Sequence, residues 1–148
     1  MGSIAQFEKI LTIRTTEKDI AMKEYQESVE DFETVALELY NLLKEKEEIE
    51  EELNNKFHSQ VTVHEIQHYQ NYLEMLEKQI LVVNQKVQQA REKMEFKKQK
   101  LSDSYIEMKK FERIVDIKKR EFLEHIAKLE NDQMNEISIQ QFLRTRKR

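Results

Sequence analysis

The 148-residue chain has no cysteine, no proline, no tryptophan and a single glycine, Gly2. Without cysteine there can be neither a disulfide framework nor a thiolate metal site. Without proline, and with glycine only at the second position, the chain lacks the residues on which turns depend, so it cannot reverse direction often. No run of about 18 uncharged apolar residues occurs, so no segment reads as a membrane span. The opening MGSIAQFEKI lacks the apolar centre of a signal peptide. The expected address is the cytoplasm. What the chain has in abundance is charge: 36% of residues are charged against 39% hydrophobic, with a net charge of −4. The length would suit one globular domain, but a composition this charged fits a core only two helices wide.

The hydrophobic residues are arranged to make such a core. In the second half, Ile66, Tyr69, Leu73, Leu76, Ile80, Val83, Val87, Ala90, Met94, Leu101, Met108, Phe111, Val115, Phe122 and Leu129 recur at alternating three- and four-residue spacing. Only Lys97, Ser104, Lys118 and His125 interrupt the ladder with polar residues. Apolar residues so spaced lie along one stripe of a helix, which is buried only against another helix. A weaker ladder runs through the first half: Phe7, Leu11, Arg14, Lys18, Ala21, Tyr25, Ser28, Phe32, Val35, Leu39, Leu42, Lys46, Ile49 and Leu53. Ile10, Ile13 and Ile20 lie beside its start, which widens the apolar stripe there and suggests contact with more than one partner helix.

Between the ladders, NNKFHSQVTV is the only stretch where the helical signal fails. Asn and Ser are weak helix formers, and Val61, Thr62 and Val63 favour extended backbone. Thr62 and Glu65 then have capping-box spacing. The fold class expected is all-α: a long antiparallel two-helix coiled-coil hairpin with unequal arms, forming a single domain over 1–148. Helix one covers about residues 4–55, the turn 56–61, helix two 62–142 and a basic tail 143–148. Folding about that bend sets Leu53 opposite Ile66, Phe32 opposite Val87 and Phe7 opposite the Phe111 region. Residues from about 115 to 143 are then left without an intrachain mate, roughly 40 Å of helix, and they stay apolar at Val115, Ile117, Phe122, Ile126, Leu129, Ile137, Ile139, Phe142 and Leu143. An exposed stripe of that kind marks a binding surface; dimerisation of two such overhangs, or fraying, is the plainer alternative.

Charge divides along the same line. Residues 1–56 carry 7 Lys/Arg and 15 Asp/Glu, a net of −8, while residues 57–148 carry 18 and 14, a net of +4. Two halves of opposite sign suit each other as flanks of one hairpin. That self-complementarity leaves little basic excess for nucleic acid.

Chemistry-bearing motifs are few. His64-Glu65-Ile66-Gln67-His68 matches H-E-x-x-H, in which two histidines one turn apart ligate zinc and the glutamate activates water. A third ligand and an enclosing cleft are missing, and the heptad frame turns His64 and His68 towards solvent, so a solvated face, with at most adventitious metal binding, is the expectation. No nucleophilic set or phosphate loop is discernible, and no cofactor is expected. His125 reads as a packing or register residue, and Arg144 to Arg148 as a frayed basic end that could touch phosphates or an acidic membrane surface.

Several blocks together resemble the FliJ family of bacterial flagellar export proteins. FEKILTIRTTEKDIAMKEY is similar to that family's opening helix, and HYQNYLEMLEKQI (His68 to Ile80) to its Y-Q-x-[FY]-x-x-x-L-E-K block. Lys109-Lys110-Phe111-Glu112 and Asn135 to Phe142 resemble later blocks, in the same order and over nearly the whole chain. The resemblance implies a non-enzymatic, antiparallel two-helix stalk like the rotor stalk of rotary ATPases. Its paired termini would sit in the hexameric flagellar export ATPase and another face would reach the export-gate protein FlhA. Escort of export substrates or their chaperones is also implied, as is a cytoplasmic place at the inner face of the membrane, held there through partners. The gate-contacting face maps onto Leu42, Tyr72 and Leu76, with Gln79 and Val83 continuing the row but differing from the family's residue types. Glu38, Glu45 and Ile49 lie on the same face, also without matching types. The ATPase end maps onto Phe7, Leu11, Phe111, Ile137, Ile139 and Phe142. A generic coiled-coil adaptor or holdase chaperone is the alternative.

Overall fold

The structure is a computed structural model that describes residues 3–146. It consists of two helices, α1 (Ile4–Phe57) and α2 (Val63–Arg146), packed against each other as a hairpin, with no strand among the described residues. Contacts group the chain into two compact units: Asp19–Ser102, and Met1–Lys18 together with Asp103–Arg148.

The first unit contains the chain reversal. α1 ends at Phe57, where the amides of His58 and Ser59 donate to the carbonyls of Asn55 and Lys56, at 3.2 and 3.1 Å. Thr62 caps α2: its Oγ1 accepts the Glu65 amide at 3.2 Å and its carbonyl accepts the Ile66 amide at 3.1 Å. Such a cap meets one of the amides that a helix start leaves without an intrahelical partner. The core is built from the ladder residues Ala21, Leu76, Val83 and Val87, with Leu76 only 1% exposed. Enclosing a leucine to that degree contributes about 2 kcal/mol.

Polar residues in the ladder are accommodated without an opposing polar core. Ser28 is buried, and its hydroxyl donates to the Tyr25 carbonyl at 2.6 Å, one turn back on its own helix. Lys46 and Lys97 lay their stems along the seam and carry their charges to its edges. There Lys46 meets Glu50 and Glu77, each at 3.7 Å, and Lys97 meets Glu24 at 2.9 Å. The Arg91 guanidinium lies over the Phe32 ring, 5.8 Å from its centre.

In the second unit, Ser3 and Gln6 form a reciprocal capping box at the start of α1. Ser3 N donates to Gln6 Oε1 at 3.0 Å and Gln6 N to Ser3 Oγ at 3.3 Å. Met108 and Val115 are the buried residues of this unit. The pairing differs from the expected register. Phe111 lies under the guanidinium of Arg14, at 5.6 Å, rather than beside Phe7. Lys119 pairs with Glu8 at 3.1 Å, which sets the first turns of α1 alongside Val115 to Lys119. Val115, expected to lack a mate, is therefore core, and the unmated stretch starts about one turn later. The reason lies in the ladders. Both alternate strictly in threes and fours, and a shift of three residues aligns a ladder position of one with a ladder position of the other throughout: Leu42 with Ile80, Val35 with Val87, Ala21 with Leu101, Leu11 with Phe111.

Beyond Lys119, α2 continues to Arg146, and every residue from 120 to 146 is exposed except the half-buried Ile126. That is about 40 Å of helix at a rise of about 1.5 Å per residue.

Candidate interaction surfaces

The residues mapped to an export-gate contact fall on α1 and α2 of the unit Asp19–Ser102. Leu42 and Tyr72 are half-buried and Gln79 is exposed, so these three present surface. Leu76 and Val83, at 1% and 4% exposed, are enclosed by the helix pair and support the face from beneath. The exposed apolar side chains of this row are instead Met75 and Val82, at 45% and 52%. Sequence reasoning missed both, although Ile80-Leu81-Val82-Val83 carried the signal. Four consecutive apolar residues cannot all enter a seam that takes two, so Leu81 and Val82 had to face outwards.

Two shallow grooves lie along this flank. One, of about 430 Å³, is lined by Glu38, Leu42, Lys78, Gln79 and Val82. The other, of about 540 Å³ beside the chain reversal, is lined by Ile49, Glu52, Lys56, His64, Glu65, His68, Tyr69 and Tyr72. Tyr72 donates its hydroxyl to Glu45 Oε1 across the pair. That hydrogen bond to the carboxylate holds the phenol above its ordinary pKa, with desolvation and the carboxylate's charge acting in the same direction. Farther along, the bond from Lys97, and then its charge, lower the pKa of Glu24.

His64 and His68 of the H-E-x-x-H segment are exposed, and Glu65 Oε2 is a buried oxygen without a hydrogen-bond partner. Among the described residues no group of three or more His, Cys, Asp or Glu is placed to hold a metal ion. The segment's evident structural part is the cap at Thr62.

In the other unit, Phe7, Leu11 and Phe111 are half-buried within the helix pair. Arg14 covers Phe111, joins Glu17 at 3.0 Å through one terminal nitrogen and leaves its Nε buried without a partner. Ile137, Ile139 and Phe142 are not brought beside these residues. They stand exposed on α2 beyond Lys119, with Phe122, Leu123, Leu129, Met134 and Leu143. At 100° per residue these side chains do not share one stripe: Ile139 and Phe142 adjoin, while Ile137 lies nearly opposite Ile139. His125, also exposed, lies on the same stretch.

A hairpin of two uninterrupted helices, whose exposed apolar rows flank a narrow core, defines a protein of the coiled-coil class. The sequence model of the family described as "Flagellar FliJ protein" matches residues 3–147. The chain is also 35% identical over 138 residues to the flagellar FliJ protein of Bacillus subtilis (strain 168), a match spanning 93% of this chain and 94% of the relative. No solved structure matches it. The chain belongs to the flagellar FliJ family.

Proposed function

We propose that this chain is a non-enzymatic stalk and escort component of the flagellar type III export machinery. It binds the hexameric export ATPase through the end carrying Phe7, Leu11, Phe111, Ile137, Ile139 and Phe142. It meets the export gate, FlhA, through the flank carrying Leu42, Tyr72 and Gln79, supported by Leu76 and Val83. Membership of the flagellar FliJ family supports the setting. No described helix is long and apolar enough to cross a membrane, in keeping with attachment at its cytoplasmic face through partners.

The observation that carries the ATPase assignment is the stretch of α2 beyond Lys119. A second single helix would cover one stripe, but Leu123, Met134, Ile137, Ile139 and Phe142 point to several sides. A partner that surrounds the helix, as the pore of a ring does, covers them all. A stalk of this kind needs no reaction of its own: its ends act through differential affinity for conformations of the partners, and engagement at two places lets each interface be weak.

The experiment is capture from flagellated cells, comparing the full chain with one ending after Arg120, which keeps the Glu8–Lys119 pair. The shorter chain is expected to lose the ATPase and keep FlhA; retention of the ATPase would overturn the assignment. The exposed apolar row also suits a holdase chaperone. That reading is favoured if the full chain binds unfolded clients without stimulating hydrolysis by the hexamer.

A further inference from the structure

The reversal end of the unit Asp19–Ser102 is not neutralised by the pairing of its own helices. Residues 45–77 hold nine glutamates and no aspartate against Lys46 and Lys56, a net of −7 with histidine neutral. All 18 basic residues of the second half stand at Lys78 or beyond. Within this stretch two glutamate pairs stand across the helices, and they differ in what lies between them. On one flank Lys46 reaches both Glu50 and Glu77, at 3.7 Å each, and so sits between two like charges. The other flank is the one marked by the Tyr72–Glu45 bond. One heptad nearer the reversal, Glu65 and Glu52 take the places of Tyr72 and Glu45. Both line the groove of about 540 Å³, together with Tyr69 and Tyr72. Among the described residues no cation bridges this second pair. Glu65 Oε2 is shut off from water without a hydrogen-bond partner, although Lys56 lies on the same groove. A carboxylate oxygen so placed is costly to keep. Glu65 as a whole is only half-buried, so a donor entering the groove can meet its carboxylate.

On the reading that FlhA meets this flank, we propose that its contacting segment is basic and seats one arginine side chain in the groove, with Glu52 and Glu65 as the carboxylate partners. Tyr72 belongs both to the flank given to the gate and to the groove, so a partner lying on Leu42 and Gln79 continues into it. A guanidinium is planar and carries five donors. It can serve two carboxylates and lie against a tyrosine ring, as the Arg91 guanidinium lies over Phe32 farther from the reversal. A metal ion is a poor occupant, because among the described residues no group of three or more His, Cys, Asp or Glu is placed to hold one. The net charge of this end draws a basic segment towards it and turns an acidic one away.

The test compares capture of FlhA from flagellated cells by the full chain, by Glu52→Gln with Glu65→Gln, by Glu50→Gln with Glu77→Gln, and by Met75→Glu. The first pair should lower capture by about tenfold or more. The second pair removes the same charge from the opposite flank and should leave capture unchanged. Helix content is followed in every variant, and glutamine keeps the length of glutamate at each site. The photocrosslinker p-benzoylphenylalanine at position 68, exposed on the groove, should reach a segment of FlhA that contains arginine. Changing that arginine to methionine should bring capture by the unaltered chain down to that of Glu52→Gln with Glu65→Gln, and should lower capture by that variant no further. Full capture by Glu52→Gln with Glu65→Gln, where Met75→Glu captures less, overturns the arginine seat and leaves the gate reading standing. Full capture by every variant removes the gate reading and the seat with it. Equal losses from both glutamine pairs, a crosslink to a second copy or to a segment without arginine, or no crosslink would each overturn the seat.

Discussion

Tyr72 on α2 and Glu45 on α1 are joined by a hydrogen bond from phenol to carboxylate, close to the chain reversal. The carboxylate stabilises the protonated phenol and raises its pKa. The native state therefore gains from this group at all pH values below the ordinary tyrosine range. The gain is lost as pH rises through the elevated folded value. Ultraviolet titration of the native protein should show a step above the ordinary tyrosine range, missing in Tyr72→Phe and in Glu45→Gln. A native titration unchanged by both substitutions would contradict the pairing.

Glu24 has the opposite dependence. Its bond to Lys97 lowers its pKa, so its contribution is complete above the ordinary glutamate pKa and disappears as pH falls through the depressed value. Urea midpoints measured across the acid range should fall less steeply for Glu24→Gln than for the unaltered chain, the two curves converging at the acid end.

Leu76 and Met75 are neighbours in sequence with different roles, one enclosed and one exposed. Leu76→Ala should destabilise the chain by about 2–5 kcal/mol in chemical unfolding, the range for truncating a buried leucine. Met75→Ala should change stability by no more than about 0.5 kcal/mol, as at other exposed sites. On the proposed gate contact, Met75→Glu should reduce FlhA capture while leaving the unfolding curve in place. Loss of the fold with Met75→Glu, or full capture, would remove Met75 from that surface.

The exposed end of α2 should separate stability from binding in the same way. Ile137→Asp with Phe142→Asp touches no intrachain core, so the unfolding free energy is expected to stay within about 0.5 kcal/mol of unaltered. ATPase capture should fall at least tenfold. Equal capture by the double variant would place the contact elsewhere.

Thr62→Ala removes the side-chain acceptor at the start of α2 and should cost about 1 kcal/mol, read as a lower urea midpoint. Zinc titration of the unaltered chain and of Glu65→Gln should show no stoichiometric binding in either. One tight equivalent lost with His64→Ala would revive the H-E-x-x-H reading.

Much of the fold was legible because heptad spacing is a local property. Ala21, Leu76, Val83, Val87, Met108 and Val115 sit on the ladders read from sequence and are buried. Even the polar members Ser28, Lys46 and Lys97 keep their ladder positions, since a hydroxyl can bond its own helix and a lysine can extend sideways. Register was less legible. The composition of the bend locates a reversal without fixing which ladder positions become level, and the Phe111 contact moved from Phe7 to Arg14. The capping box of Ser3 and Gln6 could have been found, since S-x-x-Q is its sequence form. Exposure within an apolar run was the other gap, and it separated Val82 from Val83 and Met75 from Leu76.

The pair of Glu8 and Lys119 holds the first turns of α1 to α2 through two largely solvated side chains. Contacts of that sort weaken as salt rises. Salt therefore loosens this one bond alone: the half-buried Phe7 and Leu11 and the enclosed Val115 keep the opening turns of α1 in place, so the bare length of α2 does not vary with ionic strength.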